Sequence, residues 1–277
     1  MGTLFVCGTP IGNLEDASIR LIKTLKSVDM IACEDTRQTM KLLNHFKIKN
    51  RLISYHQHST RDREDHLLQE LQQGKNIALV TDAGMPCISD PGQELVYRAR
   101  EAGIHIEVIP GPTAFTAALA VSGIDSRAFV FEGFLPQRKS RRREELTRLS
   151  TEIRTIIIYE APHRLLAFLE DAADIWGEQS PMVIARELTK IHQEIKMGSI
   201  KELYHYYQEK VPRGEICIII PPRSQEEEEV SMDQIVEEAS MLIEEGMDKK
   251  EAFKTKAHEY SVKKSDIYKH YIESKKC

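Results

Sequence analysis

The sequence offers little to disulfide or zinc chemistry. Its five cysteines (Cys7, Cys33, Cys87, Cys217 and Cys277) are an odd, scattered set, with no CxxC pair and no Cys/His cluster at zinc spacing. Four of them lie in apolar runs or beside small residues and read as small core hydrophobes, as expected in a reducing cytosol. No metal site is expected. Charge of a single sign is missing too. The 38 Lys+Arg stand against 43 Asp+Glu, a net charge of −5, which excludes a globally basic nucleic-acid coat protein but leaves local basic patches open. Long apolar runs are missing as well. The longest uncharged stretch, Val108–Ile124, contains Pro110, Gly111, Pro112 and Gly123 and does not read as a membrane span. The first ten residues have neither a cationic start nor a long apolar core, so no signal peptide is expected and the protein is most simply cytoplasmic. Four common catalytic or nucleotide signatures, GxGxxG, GxxxxGK[ST], GxSxG and HExxH, do not occur.

What remains is the composition of a soluble globular protein. It has 277 residues, 41% of them apolar and 29% charged, enough for two domains with real cores. Thr3–Cys7, Val28–Cys33, Leu52–Ser54, Ile77–Val80 and His105–Ile109 read as strands. Between them, helical spacing recurs at Ile19, Ile22 and Leu25, over Thr39–Phe46, over Asp65–Gln73 and over Gln93–Glu101. Alternation of continuous apolar strands with helices predicts a parallel sheet covered on both faces. After the Pro110–Pro112 turn, strands are expected at Phe129–Gly133, Thr155–Tyr159, Met182–Ala185 and Glu215–Ile220, with an antiparallel strand within Ile191–Met197. Helices are expected at His163–Asp174 and Ile200–Gln208, giving a mixed sheet. Beyond Pro222 come an acidic run, Glu226–Glu229, and three helices: Met232–Glu245 stopped at Gly246, then Lys249–His258 and Lys264–Ser274 around Tyr260, Ser261 and Val262. The expected organisation is therefore an N-terminal α/β domain over residues 1–112, a second α/β domain over 113–222, and an acidic linker with a helical appendage over 223–277.

The unusual residues fall where such a sheet places its ligands, just past the strands' carboxyl ends. GTPIG (8–12) follows the first strand and EDTR (34–37) the second. TDAGMP (81–86) and ISDPG (88–92) follow the fourth, and PGPTA (110–114) the fifth. Each alone reads as a turn, but together they describe one crevice. Gly and Ala within Asp82-Ala83-Gly84 and Thr113-Ala114 allow close backbone approach, with few charges to meet phosphates, which suits a zwitterionic nucleoside-like ligand better than ATP.

GTPIGN, CEDTR, TDAGMPCISDPG, VIPGPTA, FEGFLP, YEAPHR and ARELTK, in that order, resemble the 16S ribosomal RNA (cytidine-2′-O)-methyltransferase I family of the tetrapyrrole-methylase superfamily. The likeness runs from about Thr3 to Pro222 and continues weakly into the C-terminal helices. It implies two α/β domains with S-adenosyl-L-methionine in a cleft between them, usually in a homodimer. It also implies methyl transfer to the ribose 2′-oxygen of a cytidine in the decoding region of 16S rRNA, with 16S rRNA or the small ribosomal subunit as partner. Carried over, the cofactor contacts are Pro10, Asp82, Ala83, Gly84, Ile88, Ser89, Thr113 and Ala114 from the first half, and Tyr159 and Leu188 from the second.

A ribose hydroxyl is a weak nucleophile, and a base or a nearby cation would help it. Two trios offer this: Glu34, Asp35 and Arg37 on one loop, and Arg186, Glu187 and Lys190 on another. Asp35, Arg186 and Lys190 are the catalytic candidates, although structural ion pairs, or a grip on RNA phosphate by Arg186 or Lys190, explain these residues as well. His163 reads more simply as the start of a helix after Pro162. For RNA, Arg138, Lys139, Arg141, Arg142 and Arg143 put five cations into six residues, opposite in sign to the protein as a whole. The last two helices resemble a helix-turn-helix in length and spacing, and equally a plain helical hairpin; their lysines make them a candidate RNA-docking appendage. Tyr204, Tyr206 and Tyr207 read as half-buried helix residues more readily than as base-stacking groups. Two competing functions remain: a methyltransferase of a tetrapyrrole or other small molecule, for which the basic segment has no use, and a non-enzymatic nucleic-acid-binding module.

Overall fold

A computed structural model describes residues 1–56, 61–222, 232–244, 247–259 and 264–274. The acidic run at 226–229, Gly246, the 260–262 turn and Cys277 lie outside the described residues. Residues 1–222 form one compact unit and the chain from Arg223 onward a second.

The first half of the larger unit alternates strands and helices: β1 (Thr3–Cys7), α1 (Ile19–Ser27), β2 (Met30–Cys33), α2 (Thr36–His45), β3 (Leu52–Ser54), α3 (Arg61–Gln72), β4 (Ile77–Val80), α4 (Gln93–Glu101) and β5 (His105–Ile109). The strands form an all-parallel sheet in the order β3-β2-β4-β1-β5. β2 and β4 are buried at every residue because helices cover both faces, which is why they read as uninterrupted apolar runs. One face packs Leu4, Met30, Leu67, Leu71, Ile77 and Leu95 together; the other packs Cys7, Leu21, Leu25, Ile31, Leu43 and Val80.

α5 (Ala114–Ser122) leads into the second half, comprising β6 (Phe129–Phe134), α6 (Lys139–Leu149), β7 (Thr155–Glu160), α7 (Leu165–Trp176), β8 (Pro181–Arg186), β9 (Glu194–Ser199), α8 (Ile200–Glu209) and β10 (Ile216–Ile220). Here the order is β6-β7-β10-β8-β9, with β6 parallel to β7 and the other pairs antiparallel. α8 opens with a capping box in which the Ser199 hydroxyl and the Glu202 carboxylate exchange bonds with each other's backbone N–H groups. Ile11, from the loop after β1, is buried in the core of this second sheet beside Ile157, Val183, Ala185 and Ile219. That contact fixes the carboxyl edge of the first sheet against the face of the second.

In the C-terminal unit, α9 (Met232–Glu244), α10 (Lys249–Glu259) and α11 (Lys264–Ser274) share a small core of Ile235, Val236, Ala239, Phe253, Ile267 and Tyr271. The Lys249 ammonium lies 4.1 Å from the Tyr271 ring centre and 5.6 Å from that of Tyr268. Among the described residues, no helix is long and apolar enough to cross a membrane.

Candidate active site

The loops at the carboxyl edge of the first sheet are tied to one another through their backbones. Thr9 N donates to Gly84 O at 2.8 Å and Gly84 N to Thr9 O at 3.1 Å, while the Thr9 hydroxyl donates to Thr81 O at 3.1 Å. The loop after β2 joins them: Asp35 N donates to Asp82 Oδ1 at 3.0 Å, and the Thr81 hydroxyl to Glu34 Oε2 at 2.9 Å. Gly8 and Gly111 let the loops after β1 and β5 touch, since a Cβ on Gly8 would lie 2.7 Å from Gly111 Cα. From the other half, the Tyr159 hydroxyl accepts from Phe115 N at 3.0 Å, filling one of the donors left open at the start of α5, where Thr113 makes no side-chain cap.

These elements enclose a cavity of about 400 Å³. Asp82, Ala83, Gly84, Ile88 and Ser89 line it from the first sheet's loops, Thr113 and Ala114 from the start of α5, and Tyr159 and Leu188 from the second half. Of the expected cofactor residues only Pro10 is not in the wall, where its neighbour Ile11 is.

Five acidic residues, Glu34, Asp82, Asp90, Glu160 and Glu215, and no lysine, arginine or histidine contribute to the wall; the Glu160 side chain is sealed from the space and faces Arg164, and Glu215 is paired with Lys190. They are spread around the cavity, and among the described residues no three His, Cys, Asp or Glu side chains cluster as metal ligands. Burial, together with the charges of Glu34, Asp82 and Glu215, pushes the Asp90 carboxyl up to about 7, against a smaller opposing effect of the Thr81 hydroxyl. Burial also raises Asp82, with Asp35 N opposing it and Glu34 reinforcing it. Cys217, in the same wall, is pushed up to about 12 by burial, so its thiol is inert at neutral pH.

The proposed catalytic trios are committed to partners. Asp35 caps α2 through Arg37 N at 2.8 Å and pairs with the Arg37 guanidinium at 2.7 Å, which lowers its carboxyl to about 2. Arg186 pairs with Glu194 at 3.2 Å. Lys190 bridges Glu187 at 2.8 Å and Glu215 at 3.1 Å; burial alone would lower its ammonium, but those two carboxylates raise it above its ordinary value. The 186–190 loop is tightly bent, with Glu187 and Thr189 both in the left-handed region (φ 51° and 65°). Gly214 makes room for it, because a Cβ there would fall 1.9 Å from Glu187 Oε1. His163 is exposed in a short 3-10 turn, Pro162–Arg164, and does not line the cavity.

The basic run 138–143 begins α6. Arg142 points inward: it is buried, and its Nε and Nη2 donate to Asp171 Oδ2 at 2.9 and 2.6 Å. Arg143 and Lys139 meet the other oxygen of the same carboxylate at 3.0 and 3.6 Å. Burial alone would raise Asp171, but the guanidiniums of Arg142 and Arg143 outweigh it and hold the carboxyl low. Arg142 is therefore a core group rather than a surface contact for RNA, while Arg138, Lys139 and Arg141 are exposed. The tyrosines of α8 are engaged as well: Tyr207 is buried, Tyr204 donates to Glu170 and Tyr206 to Glu194.

The family model of the Tetrapyrrole (Corrin/Porphyrin) Methylases matches residues 3–204. The chain belongs to the tetrapyrrole methylase family. Ribosomal RNA small subunit methyltransferase I of Synechocystis sp. is 44% identical over 274 residues, covering 99% of this chain and 98% of that protein. The protein of the same name in Thermotoga maritima is 48% identical over 220 residues, 79% of this chain and 98% of its own length. Among solved structures, cobalt precorrin-4 methyltransferase matches with a TM-score of 0.62 at 19% identity, covering 79% of this chain and 94% of that one. Diphthine synthase matches with a TM-score of 0.62 at 12% identity, covering 80% of this chain and 90% of its own. These two show a shared fold. Within this methyltransferase family, the carboxylates of Asp90 and Glu160 are what a reading by motif passes over. Both stand inside quoted motifs, ISDPG and YEAPHR, yet neither their burial nor their neighbours are visible in sequence.

Proposed function

We propose that this protein transfers a methyl group from S-adenosyl-L-methionine to the ribose 2′-oxygen of a cytidine in the decoding region of 16S rRNA. The observation that carries the reading is a nucleoside-sized cavity lined by Glu34, Asp82 and Asp90, whose carboxylates have no ion-pair partner among the described residues, and by no cationic side chain. Such a wall suits a ligand bearing sulfonium and ammonium charges better than a polyphosphate cofactor such as ATP. Relatives matched over nearly their whole length bear the name ribosomal RNA small subunit methyltransferase I, which supports the choice of acceptor. When bound, S-adenosylmethionine supplies a methyl group already activated on sulfur, so alignment does most of the work.

The chain's residues take the remaining roles. Asp82 offers a carboxylate for the ammonium end, and the backbone of Ala83, Gly84 and Thr113 offers close polar contacts. Asp90 is the proton acceptor for the ribose hydroxyl. It lies in the cavity, and its affinity for a proton is matched to neutral pH, whereas Asp35 is too weak a base and the Lys190 ammonium holds its proton. Lys190 and Arg186 act by holding the 186–190 loop through Glu187, Glu215 and Glu194. Arg138, Lys139 and Arg141 meet RNA phosphates, and the lysines of α10 and α11 add an auxiliary RNA contact. The working form is a cytoplasmic homodimer acting on rRNA or the small subunit.

The test is tritium transfer from labelled S-adenosylmethionine to 30S subunits from cells lacking the activity. Counts in one cytidine ribose, lost in Asp82→Ala, are expected. Transfer to a uroporphyrinogen-like acceptor with none to 30S subunits would favour the small-molecule reading that the family's description suggests.

A further inference from the structure

β6 carries one residue more than the strand beside it. Phe131 pairs with Ile157 and Gly133 with Ile158, so Glu132 is extra and the register after it moves by one. Successive residues of a regular strand face opposite sides of the sheet, so without the bulge Phe134 would pair with Glu160 and face away from Phe131. With it, Phe134 pairs with Tyr159, and both phenylalanine rings meet the Tyr159 ring, Phe131 at 4.9 Å and Phe134 at 5.6 Å between centres. Gly133 permits this turn: its φ of 62° is in the left-handed region, and a Cβ there would lie 2.8 Å from Ser89 Oγ. The bulge thus re-aims Phe134 at the cavity, where it lines the wall and keeps 55% of its surface exposed. Tyr159, the other aromatic residue lining the cavity, is half-buried, and its hydroxyl is committed to Phe115 N.

A short, pinned segment joins Phe134 to the basic start of α6. Leu135 is buried, and the carbonyls of Leu135 and Pro136 accept from Arg164 Nη2 at 2.7 and 3.4 Å. The Gln137 carbonyl accepts from Arg142 Nη1 at 3.4 Å, and Arg142 is itself locked onto Asp171. Arg138, four residues on, lies at most about 14 Å from Phe134, and Arg138, Lys139 and Arg141 are exposed. One rigid stretch therefore offers a bare ring at the cavity and, next along the chain, cations for phosphate. A single-stranded RNA nucleotide has both parts to match it, a base with a π-face and a phosphate backbone; S-adenosylmethionine has no phosphate.

We propose that Phe134 is the platform on which the target nucleobase of the RNA stacks when its ribose enters the cavity. This rests on the rRNA methyltransferase reading above.

The test uses the full chain and compares Phe134→Ala, Phe134→Leu and Phe134→Tyr with wild type. Methyl transfer to 30S subunits from cells lacking the activity is measured as kcat/KM over a salt series, and S-adenosylmethionine affinity by calorimetry. Phe134→Ala is expected to lower kcat/KM by about 10–100-fold, and Phe134→Leu, which keeps apolar bulk without a π-face, by about 10-fold or more. Phe134→Tyr keeps the ring and is expected to stay within about threefold of wild type. Donor affinity is expected to stay within about twofold of wild type in all three, since the ring serves the acceptor. The slope of log kcat/KM against log salt is expected to keep its wild-type value, because stacking releases no counterions; a substitution that merely disturbed α6 would lower it. With wild type active, the inference is overturned if Phe134→Leu transfers as well as wild type, or if a folded Phe134→Tyr loses as much as Phe134→Leu. It is equally overturned if donor affinity falls in proportion to transfer, which would put the ring on the donor's adenine. Wild type that binds the donor but transfers nothing to 30S subunits would overturn the proposed function, and this inference with it.

Discussion

Replacing Asp90 with asparagine is expected to pull activity and stability in opposite directions. In the folded chain, burial and the carboxylates of Glu34, Asp82 and Glu215 raise Asp90 from 3.8 to about 7. The native state thus holds this proton more tightly than the unfolded chain does. Stability is unaffected by the group below about pH 4, falls as pH rises towards 7, and stays reduced above it. A difference of about three units corresponds to about 4 kcal/mol, an upper figure that water entry and relaxation reduce. Asparagine carries no charge at any pH and removes the penalty. Above neutral pH the variant is therefore expected to melt several degrees higher than wild type, at about 2–4 °C per kcal/mol for a body of this size, and to converge with it near pH 4.

Activity is expected to move the other way. Loss of a proton acceptor lowers methyl transfer to a hydroxyl by about 100-fold or more. Wild-type kcat/KM, which reports the free enzyme, is expected to rise with pH through about 7. A cationic donor in the cavity favours the ionised carboxylate, so the kcat profile is displaced to lower pH. Thermal melts from pH 4 to 8 and tritium transfer over the range where wild type stays folded measure both halves. Asp90→Asn melting below wild type at pH 8, or transferring at the wild-type rate with an unchanged pH profile, would refute the reasoning.

Three further perturbations separate structural from surface charge. Asp171→Asn leaves the Arg142 guanidinium buried without its counter-ion and is expected to cost about 3–5 kcal/mol in chemical denaturation. Neutralising Arg138, Lys139 and Arg141 together is expected to lower Tm only slightly, through the exposed Lys139 ammonium 3.6 Å from Asp171, but to reduce the slope of log affinity for RNA against log salt by about 2, read by filter binding across a salt series. Gly214→Ala puts a methyl 1.9 Å from Glu187 Oε1 and is expected to destabilise the body by about 1–3 kcal/mol in the same denaturation assay, with reduced transfer at temperatures where it remains folded.

The first sheet was legible from its apolar runs: β1, β3, β4 and β5 fall on the residues those runs mark, although only β4 of the four is buried at every residue and the edge strand β5 exposes His105 and Val108. Polar helix starts were less so. α2 opens at Thr36, three residues before its apolar spacing begins, because Asp35 is its N-cap; the same carboxylate reads in sequence as a catalytic candidate. β9 runs over Glu194–Ser199 rather than from Ile191, since the tight 186–190 loop and the bonds of Lys190 and Gln193 that follow it use up the intervening chain. The cavity-lining loops were readable from their position after strands. The properties of Asp90 and Glu160 were not, because they arise from burial and from groups distant in sequence: Asp90 from Glu34, and Glu160 from an arginine whose own anchor is Leu135.

Charge is organised locally here, and the net value conceals it. A net charge of −5 says little about either site, because screening confines a surface charge's influence to about 8–10 Å. The cavity gathers the unpaired carboxylates of Glu34, Asp82 and Asp90 with no cationic side chain in its wall, and burial together with their mutual repulsion raises Asp90 and Asp82. The start of α6 does the reverse: five cations in six residues would repel one another, and Asp171, buried behind the helix, takes up three of them. Asp171, with Asp174 at 2.7 Å from Arg143, sets two carboxylates against Lys139, Arg142 and Arg143 and leaves a local surplus of one positive charge, to which exposed Arg138 and Arg141 add with no ion pair among the described residues. Removing Asp171 would increase the formal positive charge of this patch, yet by the same geometry it would release the buried arginine and loosen the helix that presents the rest. Affinity for phosphate at this helix is therefore expected to follow how rigidly the cations are held rather than how many there are.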